Sequence, residues 1–462
     1  MLIRFAVENF LSFKDMTEFN MTAGKMTRHR DHFTLCNGKR ILKGAFVFGA
    51  NASGKTNLFR AISFAERIID GGLDSVDCDK KYFRIENDYR NKPSVFQFDI
   101  FANNHFYSYG FAISLINRSI DEEWLYQIDD EDKCIFLRSK TEDGQAYQFY
   151  SDLEFDTDQQ QNRFSFYAEA ICSKKMERTL FLSDIVQRSP DTEIEYQPFR
   201  DVMAWFDRLI VIFPDSRYEG IIQLLENDNE RVRLENLLNY FDTGISEVVK
   251  KNQEFDQAFT MLPEKVLESL KTSISKRLTD GVASAAVIGN DSRVQIRYEN
   301  GDLIASKVFT NHGNNDDLFE YYDESDGTQR LFDLIPIFQN VLNNSVILID
   351  EIDRSLHTKA VQEFINYFYA VAIHSESQLI VTTHDSNILD LDFIRQDEIW
   401  FIERQRNHSS KLYSLNQFRE RFDKRIEKEY LLGRYGAIPV FRQSAFESHS
   451  LREDDVDADS CE

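Results

Sequence analysis

Gly44-Ala-Phe-Val-Phe-Gly-Ala-Asn-Ala-Ser-Gly-Lys-Thr56 is a short apolar run that breaks into a glycine-bearing turn. A helical pattern follows, with Leu58, Ile62, Ala65 and Ile69 on one face. Strand, loop and helix in that order are the context in which Gly49-Ala50-Asn51-Ala52-Ser53-Gly54-Lys55-Thr56, a fit to G-x-x-x-x-G-K-[ST], binds phosphate. Its glycines let the backbone curl until several N–H groups converge on phosphate oxygens. Lys55 is placed to reach the β- and γ-phosphates of a bound nucleotide and Thr56 to set its hydroxyl on Mg²⁺. Asn51, Ala52, Ser53, Gly54 and Asn57 complete the expected nucleotide-binding set.

The rest of the chain is read outward from that loop. Three near-continuous apolar runs follow it at a distance: Ser345-Val-Ile-Leu-Ile-Asp350, Gln378-Leu-Ile-Val-Thr-Thr383 and Glu398-Ile-Trp-Phe-Ile-Glu403. Such runs, separated by helical stretches, predict a parallel sheet covered on both faces. The first ends in Asp350-Glu351. Two carboxylates at the end of a buried strand are costly unless they serve a cation or a water. Asp350 is expected to support Mg²⁺, and Glu351 to orient the water that attacks the γ-phosphate in line. The second run ends in His384, one strand–helix–strand unit further on, where a γ-phosphate contact would be of use.

Between these motifs lies Glu324-Ser-Asp-Gly-Thr-Gln-Arg-Leu-Phe-Asp-Leu-Ile-Pro-Ile-Phe338. Leu331, Leu334, Ile335, Phe338, Val341 and Leu342 have the spacing of a helix with one buried face. Ser325-Asp-Gly-Thr-Gln329 would start it, and a helix start exposes unpartnered N–H groups that favour anions. A plain N-cap is the competing reading. Residues from about 95 to 150 read as β-hairpins, with Ser94–Ile100, His105–Ile113 and Lys133–Arg138 rich in β-branched and aromatic residues. The stretch from about 160 to 285 reads as mainly helical, with a strand at Leu209–Phe213, and Val294–Tyr298 reads as a returning strand.

The chain has 462 residues and a formal net charge of −24. Phosphate backbones bind clustered Lys and Arg, so such acidity disfavours a duplex-wrapping protein and leaves nucleic acid an open question. Five scattered cysteines without C-x-x-C argue against a zinc site or a disulfide framework. Met1–Glu8 lacks a signal-peptide layout, and no apolar run is long enough for a bilayer. The expectation is a reducing, cytoplasmic setting with no membrane. The tail from Leu451 to Glu462 is acidic and self-repelling.

Phosphate loop, Ser-Asp-Gly-Thr-Gln helix start, Asp-Glu strand end and His strand end occur in an order that resembles the ABC-type ATPase superfamily, in its SMC and DNA-repair branch. Met1–Phe13, Glu324–Thr328, Glu351-Ile-Asp-Arg-Ser-Leu-His357 and Tyr430–Pro439 narrow the resemblance. They are similar to AAA-type ATP-binding proteins related to the OLD (overcoming-lysogenization-defect) family, including the RloA-like and AbiL-like ATPase subunits of two-gene bacterial anti-phage systems. The resemblance implies ATP and Mg²⁺ as cofactors and a head-to-tail homodimer, or a higher homo-oligomer. In it Ser325, the Gly327 N–H and Thr328 of one copy close on the nucleotide of the other, and Asp353 lies in the loop that crosses the interface. It also implies a nuclease or toxin encoded alongside and a phage-derived trigger. The chain departs from the transporter form, which has Pro after the catalytic Glu, and carries Ser-Asp-Gly-Thr-Gln where many relatives have Ser-Gly-Gly-Gln. Gln97 is a candidate for the family's Gln-loop, although an in-register strand residue is the simpler reading. The Toprim nuclease domain of OLD proteins is not expected in the chain after Glu403.

The fold class expected is therefore α/β: an ABC-type, SMC-like P-loop head with a mixed or parallel sheet, an antiparallel β subdomain and a helical insertion. The divisions expected are an N-terminal ATPase lobe over 1–150, a mainly helical insertion over 151–288, a C-terminal ATPase lobe over 289–440 and an acidic tail over 441–462. The expected function is a nucleotide-dependent switch that regulates a toxic nuclease. A stand-alone DNA-sensing or repair-type SMC-like ATPase is the second reading.

Overall fold

Gly44–Phe48 is buried at all five positions, as an apolar run covered on both faces should be. It pairs in parallel with Ile399–Arg404, which pairs antiparallel with Ser410–Ser414. The computed structural model describes residues 1–438 apart from 27, 130, 142, 145, 191–192, 219–220, 260–262, 280–284, 289–292, 300–301 and 419–424. The acidic tail and Pro439 lie outside the described residues. The chain is an α/β protein and divides into two compact units.

One unit comprises Leu2–His29, Leu35–Met203 and the chain from Thr382. Besides the Gly44–Phe48 group it holds a seven-stranded antiparallel sheet. The order is Tyr147–Tyr150, Asp132–Lys140, Ser119–Ile128, His105–Ser114, Ser94–Ala102, Leu2–Glu8, Thr17–Asn20. Gln97 sits in register within it, opposite Ala6 and Gly110, with its amide on Asp99 and Ser108. The helix Lys55–Gly71 follows the glycine turn directly. Its Phe64 ring packs on Phe10 at 4.8 Å and on Phe96 at 5.8 Å, which fixes the helix on the sheet. Helices Asp158–Ile171 and Phe181–Arg188 belong to the same unit. The second is anchored by fully buried Glu123, which accepts the Phe181 and Leu182 N–H groups at 2.6 and 3.0 Å.

The other unit comprises Met1, Arg30–Thr34 and Ala204–Val381. Leu209–Ile212, Val346–Ile349 and Gln378–Thr383 run parallel in that order. A second sheet is antiparallel: Glu247–Glu254, Asp302–Asn311, Arg293–Glu299 and Ala285–Ile288, with Phe319–Glu320 also on Asp302–Asn311. Phe255, Phe259, Ile274, Val294, Ile296 and Ala305 form its apolar core with the helix Glu264–Thr279.

Two expectations change here. Glu247–Glu254 falls in a stretch read as helical, yet pairs along its whole length with Asp302–Asn311. The helix read through Leu342 is α-helical only over Asp326–Leu334 and continues as a 3₁₀-helix over Ile335–Asn343. Pro336 lacks the N–H an α-helix needs. At three residues per turn Ile335, Phe338 and Val341 align inward, and Leu342 is left 61% exposed. Among the described residues no helix is long and apolar enough to cross a membrane.

Candidate functional site

The glycine turn is built on backbone conformations that side chains resist. Gly54 has φ +116° and Ala52 φ +58°. A Cβ at Gly49 would lie 2.5 Å from the Ile402 carbonyl oxygen, and one at Gly54 would strike the Ser410 hydroxyl. Asn51 and Ala52 are exposed at the tip, and Thr56 and Asn57 are partly exposed where the helix begins. Lys55 is 5% exposed, and its Nζ donates to the Gly49 and Ala50 carbonyls at 2.7 and 3.2 Å.

The turn is braced from behind by residues that no local signal marks. Asn57 Nδ2 donates to the Ser12 hydroxyl at 2.8 Å. The Ser12 and Ser410 hydroxyls are 2.7 Å apart, and Ser410 donates to the Ser53 carbonyl at 2.6 Å. A hydroxyl has one proton, so with Ser410 donating to the carbonyl, Ser12 is the donor between the two serines. Ser410 N–H also donates to the Ser12 carbonyl at 2.7 Å.

A phosphate chain fits this loop. The Ser53 hydroxyl is buried, at 2% exposure, and finds no hydrogen-bond partner among the described residues. A Cβ at Gly49 or Gly54 would strike Ile402 or Ser410, so the tight curl that turns the loop's N–H groups inward depends on both glycines. Buried polar groups of this kind ordinarily have a partner, and a phosphate oxygen supplies one.

In the other unit, Val346–Ile349 delivers Asp350, fully buried, and Glu351, partly exposed. Glu351 has φ +50° and Ser355 φ +61°. A non-glycine residue in the left-handed region costs about 1–2 kcal/mol, and such strain is concentrated at functional loops. Asp353, partly exposed, lies between them. The turn ends at His357, whose Nδ1 accepts the Lys359 N–H at 3.1 Å and caps the helix Thr358–Val371.

The start of Asp326–Leu334 meets this same loop. Ser325 is its N-cap, and its hydroxyl accepts the Thr328 N–H at 3.1 Å and lies 2.9 Å from the Thr328 hydroxyl. The N-cap expected as the plain reading is thus present, and the exposed serine stays at the helix tip. A Cβ at Gly327 would lie 2.9 Å from the Ser355 carbonyl oxygen. Arg330, at 4% exposure, reaches the Asp350 and Pro214 carbonyls only at 3.5 Å, the outer limit of hydrogen bonding. Burial pulls its guanidinium pKa below the ordinary value, against the opposing charge of Asp333. Ser325, Gly327, Thr328, Asp350, Glu351 and Asp353 are thereby gathered within one unit. Gly49–Asn57 are gathered in the other. His384, exposed, follows Gln378–Thr383, and the next turn is capped by Asp385.

No curated protein matches the chain. Among solved structures it is similar to the SMC head domain from Thermotoga maritima, at 12% identity and a TM-score of 0.35, over 89% of this chain and 98% of that one. It is also similar to an SMC head bound to the C-terminal winged-helix domain of ScpA, at 16% identity and a TM-score of 0.36, over 90% and 98%. A third likeness is an SMC head with an extended coiled coil bound to the C-terminal domain of ScpA derived from Pyrococcus furiosus, at 14% and 0.32, over 90% and 97%. A family model matches residues 45–390, which take in the glycine turn, the Ser325 helix start, Asp350-Glu351 and His384. The chain therefore belongs to the family described as AAA domain, putative AbiEii toxin, Type IV TA system.

Proposed function

We propose that the chain is an ATP-hydrolysing switch that acts as a dimer and controls a toxic nuclease partner in anti-phage defence. ATP would bind at Gly49–Asn57. Mg²⁺, supplying charge neutralisation for the phosphates, would be held by the Thr56 hydroxyl and supported by Asp350. Lys55 would stabilise the β- and γ-phosphates, Glu351 would orient the attacking water, and His384 would contact the γ-phosphate. Ser325, Gly327 and Thr328 of one copy would close on the nucleotide of a second, with Asp353 in the loop at that interface. Binding biases the closed state only by its differential affinity for it, so hydrolysis reopens the pair.

The observation that carries this reading is the glycine turn. It combines the partnerless buried Ser53 hydroxyl with two positions where only glycine fits, ahead of a helix that starts at Lys55. The strained, partly exposed Glu351 carboxylate at the end of a buried strand supports the hydrolytic half. The toxin–antitoxin wording of the family description supports the partner half.

The test is ATP turnover and particle size for the wild type and Glu351→Gln, with and without ATP and Mg²⁺, and after co-expression with the product of the adjacent gene. The expected result is turnover by the wild type, at least about 100-fold less by the variant, and an ATP-stabilised variant dimer. Equal turnover by both proteins overturns the role of Glu351. Absence of ATP binding overturns the whole reading. Failure to co-purify any neighbour-encoded protein removes the partner half.

A further inference from the structure

The residue before the Ser325 cap is a carboxylate, and it is buried. Glu324 is 9% exposed. Its Oε1 accepts from His312 Nε2 at 2.8 Å and from the Thr310 hydroxyl. Its own carbonyl accepts from Gln329 Nε2 at 2.9 Å, which closes the Ser-Asp-Gly-Thr-Gln turn back onto it. Both donors to the carboxylate come from one place: Thr310 lies near the end of Asp302–Asn311, and His312 is the residue after it.

The His312 ring is set in turn by its neighbours. It stands edge-on to Phe319, with centroids 4.9 Å apart at 70°. Its Nδ1 faces Gly244, where an added Cβ would lie 3.5 Å away. The strand behind it pairs from Ile304 to Asn311 with Glu247–Glu254, and also with Arg293–Glu299 and Phe319–Glu320. A buried carboxylate that depends on two donors has one good orientation, whereas an apolar side chain would tolerate several. The tip of the Asp326–Leu334 helix is thus referred to the end of a strand in the second sheet.

We infer that His312 and Glu324 are positioning residues that aim the Ser325–Thr328 helix tip, and that through them the antiparallel sheet sets the rate of ATP turnover. A shift of Asp302–Asn311 moves Thr310 and His312, then Glu324, then the Ser325 hydroxyl and the Gly327 N–H. This inference rests on the proposed ATPase reading. It adds residues to that reading which touch neither nucleotide nor water, and it gives the sheet a regulatory task.

The test uses the full chain with Mg²⁺ and ATP, and measures kcat, ATP affinity and thermal midpoint. His312→Ala and Glu324→Ala are expected to lower kcat by about tenfold or more while ATP affinity changes by less than about twofold, because the phosphate-loop side is untouched. His312→Gln keeps a side-chain N–H donor and is expected to recover much of the rate. Thr310→Val removes one donor without changing volume, and is expected to fold and to lose about threefold in kcat. It carries the test if His312→Ala does not fold. Wild-type kcat in His312→Ala, Glu324→Ala and Thr310→Val overturns the inference. So does a parallel fall in kcat, ATP affinity and thermal midpoint with no recovery in His312→Gln. Ser325→Ala separates the two levels. If it stops turnover while the His312 and Glu324 variants do not, only the positioning role fails. If it too turns over normally, the helix-tip reading fails as well.

Discussion

Gly327 sits against the Ser355 carbonyl so closely that an added Cβ would lie 2.9 Å from the oxygen. The contact ties the first turn of Asp326–Leu334 to the loop that follows Asp350-Glu351, backbone against backbone. A backbone oxygen cannot swing aside as a side chain can. Gly327→Ala is therefore expected to push the two segments apart, at a cost of about 1–3 kcal/mol. Thermal unfolding checks the cost, and ATP turnover should fall with it. An unchanged thermal midpoint would show that the loop yields freely.

The two tasks assigned to Ser325 can be separated. Ser325→Asp keeps a capping oxygen and adds negative charge where the helix dipole favours it, so stability is expected to hold or rise by a few tenths of a kcal/mol. The same charge would repel a γ-phosphate. Turnover is then expected to fall by about tenfold or more while the thermal midpoint stays at or above that of the wild type. Ser325→Ala should lose about 1 kcal/mol of stability through the cap alone. An active Ser325→Asp protein would leave the residue as a cap and nothing more.

The brace behind the glycine turn makes its own prediction. Ser410→Ala deletes the hydroxyl that holds the Ser53 carbonyl and meets Ser12. The expected cost is about 1 kcal/mol, read mainly as weaker ATP binding. Gly54→Ala forces a residue with φ +116° to carry a Cβ into that same hydroxyl, and is expected to abolish binding. Equilibrium titration with ATP distinguishes the two. The double variant Gly54→Ala/Ser410→Ala should not recover, because the backbone strain remains.

Glu66 gives a pH dependence with a definite sign. It lies on the helix that begins at Lys55, and burial, reinforced by the charge of Asp70 one turn on, raises its pKa from 4.5 to about 7. The folded state then holds this proton more tightly than the unfolded chain does. Its stabilising contribution is complete below about pH 4.5 and is lost as the pH rises through about 7. Glu66→Gln is expected to be more stable than the wild type at pH 8 by about 1–2 kcal/mol, with allowance for partial exposure, and equal to it near pH 4. Denaturant midpoints at the two pH values check this, and a difference that is larger at pH 4 would contradict it.

Where burial on both faces wrote an uninterrupted apolar run, the sequence was transparent. Gly44–Phe48, Val346–Ile349, Gln378–Thr383 and Ile399–Arg404 all lie where their composition put them. Glu247–Glu254 was opaque for a physical reason. Its Lys250 reaches out to Glu226, and its Asn252 accepts from Ser306, so polar residues interrupt the period of two that marks a strand. The 3₁₀ turn after Leu334 could have been suspected from Pro336 alone. The brace is another matter. Ser12 and Ser410 stand 398 positions apart, and nothing in either neighbourhood announces the other. Glu324 stood in plain view beside Ser325, but its partner His312 is brought there by the path of a strand, which no local pattern encodes.

Lys55 already donates to the carbonyls of Gly49 and Ala50. An arriving anion must compete with both oxygens for the ammonium. Coulomb attraction grows with the charge of the incoming ion, so a polyphosphate would offset those contacts more fully than a singly charged ion. On the proposed reading, these two carbonyls would make the lysine favour the more highly charged of two competing anions.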